Sequence, residues 1–216
     1  MIFGRLEGRG GGSAEPMVRY VADYLDEQFN SERPARTPLT EAEVFPALKK
    51  LGLAGRYYEP EDLRDVLQSR LGLELKVVTV DDQLWCRRML QEGIRGSIRI
   101  IEGTHRGEIW VPRDLDREEF ADVMYHELAH VVAAHPLPLR PKEEDQSGRV
   151  RFWLPEKRFT SRRPPFDLAA CEHSAALREG LLRWCEADAD SWAEHLRTFG
   201  AYGPRTYFRE RLFLKR

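Results

Sequence analysis

Residues 125–135, YHELAHVVAAH, constrain the fold of this 216-residue chain more than any other stretch. Two histidines stand four positions apart, and a glutamate directly follows the first. Positions i and i+4 of an α-helix lie one turn apart on the same side, so His126 and His130 can direct two imidazole nitrogens at one point. Pro136 stops that helix. The chain must therefore form a helix that is apolar on one side and supplies half of a metal site on the other.

A catalytic zinc site takes three protein ligands at about 2.0–2.1 Å and leaves a fourth position for water, whose pKa the metal lowers to about 7. Glu127 follows His126 directly and can take the proton of that water. Asp122, four residues before His126, is a candidate to hold the other ring nitrogen of this histidine. The alternative interpretation is a pair of solvated histidines, or an ion-pair network with neighbouring acids.

The third ligand has to come from another element. Nine residues of helix turn through about 900°, which puts His135 on the side opposite His126 and excludes it as a ligand. In residues 185–196, CEADADSWAEHL, Glu186 shares a helix face with two alanines that let a second helix approach closely. We therefore predict Glu186 as the third ligand and Asp190, one turn later, as a carboxylate that orients a ligand histidine.

Three residues compete with Glu186 for the third position: Glu172, His173 and Glu179. His173 is also a candidate to contact the substrate or the oxyanion. No residue is a clear oxyanion donor from the sequence.

The two motifs together resemble the zinc-peptidase domain of the ImmA/IrrE family. The resemblance depends on HELAH at residues 126–130 and on EADADSWA at residues 186–193, and it covers roughly residues 60–200. It implies an α+β, zincin-like domain, in which a short antiparallel or mixed sheet packs on the HExxH helix and on a C-terminal helix that bears a ligand. The segment between the two motifs is longer than is typical of that family.

The resemblance also implies a function. Zn²⁺ on His126, His130 and Glu186, with Glu127 as the catalytic base, would make the chain a metallo-endopeptidase. Domains of this family are bacterial or phage proteins of the cytoplasm that cleave a helix-turn-helix transcriptional repressor, so the expected role is that of an antirepressor in a phage, a mobile element or a stress regulon.

A second interpretation is a regulatory module that contains metal but does not hydrolyse, and that sequesters a partner or serves in a toxin–antitoxin pair. Glu127 argues against it, because a binding module has no need of a base. A third is a structural metal site with four protein ligands.

The composition excludes several other classes. Hydrophobic residues make up 42% of the chain, enough to bury a core, and no apolar run is long enough to span a bilayer. The formal net charge of -2 argues against direct nucleic-acid binding. The three cysteines show no CxxC spacing, which favours a reducing, cytoplasmic location and buried thiols.

The predicted organisation has four parts: a flexible leader at residues 1–13, an N-terminal helical segment at 14–60, the zincin-like domain at 61–200, and a tail or helix at 201–216. Within the domain, the proline-rich and basic residues 136–168 are predicted to be a long loop or insertion. Periodicity and turn residues predict the elements: helices from Ser13 or Ala14, near 40–50 and over 61–71, strands at 73–80, 97–102 and 108–112, a helix capped by Asp114 or Asp116 that ends at Ala134 or His135, and a last helix that reaches Leu196.

Overall fold

The computed structural model describes residues 39–80, 96–140, 150–160 and 162–213, all within one compact unit of residues 33–216. These residues form an α+β fold. In chain order the elements are α1 (Glu41–Leu51), α2 (Pro60–Leu71), β1 (Glu74–Val80), β2 (Ser97–Ile101), β3 (Arg106–Pro112), α3 (Arg117–Ala133), β4 (Leu137–Arg140), β5 (Phe152–Trp153), α4 (Leu168–His173) and α5 (Ala175–Phe213). The predicted leader, the helix expected from Ser13 or Ala14, and Cys86 lie outside the described residues.

The strands form one mixed sheet in the order β1-β3-β2-β4-β5. β3 pairs parallel with β1 and antiparallel with β2. β4 pairs parallel with β2, and β5 pairs antiparallel with β4. Ile109 and Val111 are fully buried on one face of β3, as their alternation with Trp110 predicts.

Local signals set the ends of the first helices. Pro60 occupies the first turn of α2, where its missing N–H is not needed, and Gly72 ends the helix with a φ of 63° in the left-handed region that favours glycine. The predicted helices near 40–50 and over 61–71 are both confirmed.

Helix α3 carries the HExxH motif. Asp116 is its N-cap, because its Oδ1 accepts a hydrogen bond from the Glu119 N–H while the Glu119 carboxylate accepts one from the Asp116 N–H. The helix ends at Ala133, one residue before the earlier of the two predicted ends. Ala134 follows in the left-handed conformation with a φ of 58°. The chain therefore changes direction two residues before Pro136.

Helices and sheet share one hydrophobic core. Leu63 of α2, Ile100 of β2, Leu128 of α3 and Trp192 of α5 are all fully buried in it. Residues of α1 contribute to the same core, so α1 shares its core with α3. A smaller cluster contains Cys171 and Cys185, both free and buried, as predicted for these two thiols.

Two short strands, β4 and β5, lie within residues 136–168, which the sequence predicts to be a long loop or insertion; the described residues from 154 to 167 form neither helix nor strand. Leu137 and Leu139 alternate within β4, and the Leu139 N–H donates to the Arg151 carbonyl. Pro138 lacks an N–H, yet it lies in register with Phe152 of β5. Because only alternate residues of a short edge pairing need to donate, the prolines do not prevent these strands. Phe159 then packs into the main core.

Helix α5 is longer than predicted, since it runs past Leu196 to Phe213 and includes Gly180 and Gly200. At Gly200 a side chain would collide with the hydroxyl of Tyr125 and the carbonyl of Tyr58, so glycine permits the close approach of α5 to α3. No helix within the described ranges has the length and apolar content that crossing a membrane requires.

Candidate metal centre

Three side chains converge where α3 and α5 lie side by side. His126 and His130 project from one face of α3, one turn apart, and Glu186 projects towards them from the first half of α5. Among the described residues, this group has its ligand atoms all within 4.8 Å of one another and could hold a metal ion. The buried Ala189 on α5 helps the two helices come this close.

The distances between the ligand atoms suit a tetrahedral ion. Nε2 of His126 lies 3.3 Å from Nε2 of His130 and 3.0 Å from Oε2 of Glu186. Nε2 of His130 lies 3.5 Å from Oε1 of Glu186. Two ligands at about 2.0–2.1 Å from a tetrahedral metal are separated by about 3.3–3.4 Å. The donor set therefore fits zinc in both spacing and chemistry.

A carboxylate supports the first histidine from behind. Nδ1 of His126 donates to Oδ1 of Asp190 over 3.1 Å, and this contact orients the ring so that Nε2 faces His130 and Glu186. The structure thus brings Asp190 to the position predicted for it. Asp122, the other predicted support, accepts a hydrogen bond of 2.9 Å from Arg197 of α5 instead. The prediction for Asp122 is corrected, because the Nδ1 side of His126 faces α5 rather than the preceding turn of its own helix.

The second histidine is supported by residues that the sequence did not indicate. Nδ1 of His130 lies 3.0 Å from Nδ1 of His135, and Nε2 of His135 lies 3.1 Å from Oδ2 of Asp188. Helical phase predicts that His135 lies on the opposite side, but the phase no longer applies after the left-handed Ala134. Asp188 stands between two alanines, a pattern that does not by itself distinguish a buried carboxylate from an exposed one.

The ionisation of the cluster without metal follows from burial and pairing. Burial lowers the pKa of His130 to about 3, so its imidazole is neutral and able to act as a ligand. Burial also lowers the pKa of His126, but hydrogen bonds with Asp190 and Glu186 outweigh it and raise this pKa well above the usual value. Burial raises the pKa of Glu186, but the influence of His130 and His126 outweighs it and lowers this pKa. His126 is thus protonated, and its positive charge lies beside the carboxylate of Glu186.

Glu127 directly follows His126 on α3 and is 5% exposed. Burial raises the pKa of its carboxyl to about 8, although His126 and Arg99 act in the opposite direction. Gly96, just before β2, approaches it closely, since a Cβ at that position would lie 2.8 Å from Oε1 of Glu127. A carboxyl whose pKa is near neutrality, in a cluster of potential ligands, has the properties of a general base.

The competing ligands lie elsewhere. His173 is exposed at the end of α4, Glu172 is half-buried beside it, and Glu179 pairs with Arg183 over 3.6 Å on α5. None of the three belongs to the convergent group that the described residues form. A role of His173 with substrate stays a prediction.

Comparisons with protein-family models, with curated proteins and with solved structures find no match to this chain. Fold and site together define an α+β protein with a candidate metal centre of two histidines and one glutamate between two helices.

Proposed function

We propose that this chain is a zinc-dependent endopeptidase with a zincin-like domain. The observation that carries the proposal is the convergence of His126, His130 and Glu186, with Glu127 buried on the same helix as the two histidines. Three nitrogen and oxygen ligands from the protein are typical of catalytic zinc sites, whereas structural sites take four, mostly with cysteine. The resemblance of both motifs to the ImmA/IrrE peptidase domain supports the same conclusion.

Zinc would be held by Nε2 of His126, Nε2 of His130 and the carboxylate of Glu186, and it supplies a Lewis acid for water and for the scissile carbonyl. Glu127 takes a proton from the attacking water and passes it to the leaving amine. Asp190 keeps Nδ1 of His126 protonated and so keeps Nε2 free to bind the metal.

The proposed substrate is a helix-turn-helix repressor, and the proposed role is that of an antirepressor in the cytoplasm of a bacterium. This part of the proposal depends on the resemblance alone. A direct search for substrate would incubate the zinc-loaded protein with extract from the source cell and label the new α-amino groups. The proposal predicts that the labelled termini include one from a DNA-binding repressor.

Metal content is the first test. Elemental analysis of the purified wild type is expected to find about one zinc per chain, and the Glu186→Ala variant is expected to lose it. Glu172→Ala is the matched control, since it removes a half-buried glutamate outside the cluster and should retain zinc. A wild type that binds no zinc after reconstitution would contradict the proposal.

The Glu127→Gln variant then separates a peptidase from a non-hydrolytic binding module. Glutamine keeps the size of the side chain and cannot take a proton, so we expect zinc to be retained and peptide cleavage to fall by about 10²-fold or more. Unchanged biological activity in this variant would favour the binding module instead.

A further inference from the structure

A buried chain of polar contacts leads from His130 away from the metal cluster. Nδ1 of His130 lies 3.0 Å from Nδ1 of His135, whose Nε2 lies 3.1 Å from Oδ2 of Asp188. Nη1 of Arg162 lies 2.9 Å from Oδ1 of the same carboxylate. The side chains of His135 and Asp188 are each only 1% exposed, so their polar atoms contact one another rather than solvent.

A metal on His130 permits only one order of protons along this chain. Nε2 of His130 then offers a lone pair to the metal, and its Nδ1 carries the hydrogen. Nδ1 of His135 must accept that hydrogen, so Nε2 of His135 carries the second hydrogen and donates it to Asp188. On the far side of Asp188, Nη1 of Arg162 forms an ion pair with Oδ1, which holds the carboxylate in its charged form.

The backbone also holds His135 in this place. Ala134 adopts the left-handed conformation with a φ of 58°, which costs a residue other than glycine about 1 kcal/mol. The turn allows the His135 N–H to donate to the His130 carbonyl over 2.9 Å. The ring of His135 is thereby brought against the ring of His130, with centroids 5.0 Å apart. A strained residue at this point is consistent with a functional demand on the position of His135.

We infer that His135, held by Asp188 and Arg162, is a positioning residue that fixes the tautomer and the orientation of His130 as a metal ligand. The inference rests on the proposed metal site. The two ligand histidines are then supported in different ways, because His126 contacts the carboxylate of Asp190 directly, whereas a second imidazole separates His130 from Asp188. Arg162 further links this support to the folded part of residues 150–168.

The test compares zinc affinity, measured by competition with a chelator, in wild type and in three variants of residue 135. In His135→Asn the amide oxygen takes the position of Nδ1 and still accepts from His130. In His135→Gln the amide nitrogen takes the position of Nε2 and reaches Asp188 only. We expect His135→Leu and His135→Gln to weaken zinc binding by about 10- to 100-fold, and His135→Asn to restore most of the affinity.

A role in packing alone predicts another order. Leucine fills the buried volume better than asparagine, so His135→Leu would then bind zinc as wild type does and His135→Asn would bind worse. That order would overturn the inference. Tyr125→Phe is the control for stability, because it removes a buried hydrogen bond of α3 to the Tyr58 carbonyl, outside the metal cluster, and should leave zinc affinity unchanged.

A second measurement does not depend on the folding of any variant. Nitrogen-15 NMR of the zinc-loaded wild type reports which ring nitrogen of each histidine carries hydrogen. We expect His135 to be protonated at Nε2 and bare at Nδ1; the opposite tautomer overturns the inference. If wild type binds no zinc at all, both the proposed function and the inference are contradicted. If wild type binds zinc and all variants of residue 135 bind equally well, only the inference falls.

Discussion

Replacing Glu127 with glutamine should stabilise the metal-free protein at neutral pH, even though it is expected to lower peptide cleavage by about 10²-fold or more. The Glu127 side chain is 5% exposed, and burial raises its pKa from 4.5 to about 8. The folded protein therefore retains a proton that the unfolded chain releases. The stability that this proton contributes is fully present below about pH 4.5 and is lost as the pH rises through about 8.

The size of the effect follows from the difference in pKa. Each unit is worth about 1.4 kcal/mol, so at about pH 7 the wild type has lost about 3 kcal/mol through this group. Glutamine has nearly the same shape and does not ionise. The Glu127→Gln variant should thus exceed wild type in free energy of unfolding by about 3 kcal/mol near pH 7 and by much less near pH 4.5.

Urea unfolding of chelator-treated protein, followed by circular dichroism at several pH values, measures this difference. The other titrating groups of the cluster are present in both proteins, so the comparison reports residue 127 together with its effect on the pKa of His126. A difference that stays the same from acid to neutral pH would refute the assigned burial and pKa. If the difference widens with pH as calculated, stability and catalysis make opposite demands on this one carboxyl.

Three further changes test neighbouring parts of the structure. Gly96→Ala should displace Glu127 and lower peptidase activity far more than zinc content, which assays of both quantities would check. Asp190→Asn should weaken zinc binding by about 10- to 100-fold, measured by chelator competition, because His126 loses its charged acceptor. Asp116→Ala should lower the free energy of unfolding by about 1 kcal/mol in urea, because α3 loses its N-cap, and should leave zinc content unchanged.

Much of the fold could be predicted because its signals are local. Proline at the start of α2, glycine after it, and Asp116 with Glu119 at the start of α3 act within one turn of the chain. The alternation in β1 and β3 likewise needs no knowledge of partners. The order of the strands and the pairing of β4 with β2 depend on contacts between distant residues, which no local pattern specifies.

The same difference between local signals and contacts of distant residues decides which parts of the candidate metal site could be predicted. His126 and His130 share a helix, and the residues that frame Glu186 share another, so each half could be identified from spacing within one element. Asp122 was the wrong support for His126, because the packing of α5 against α3 brings Asp190 to Nδ1 of His126. Arg197, from α5, engages Asp122 there. Spacing along one helix cannot show which neighbour occupies the other side.

His135 shows how a single residue can invalidate a sound periodicity argument. The phase of an α-helix predicts direction only while the helix lasts, and α3 ends at Ala133. Ala134 then reverses the chain, so that His135 lies against His130 and the following residues enter β4 beside β2. One left-handed alanine therefore sets both the support of a candidate ligand and the path of the sheet. Since alanine gives no sign of this conformation, neither consequence was accessible from the sequence, and both depend on packing that offsets about 1 kcal/mol of backbone strain.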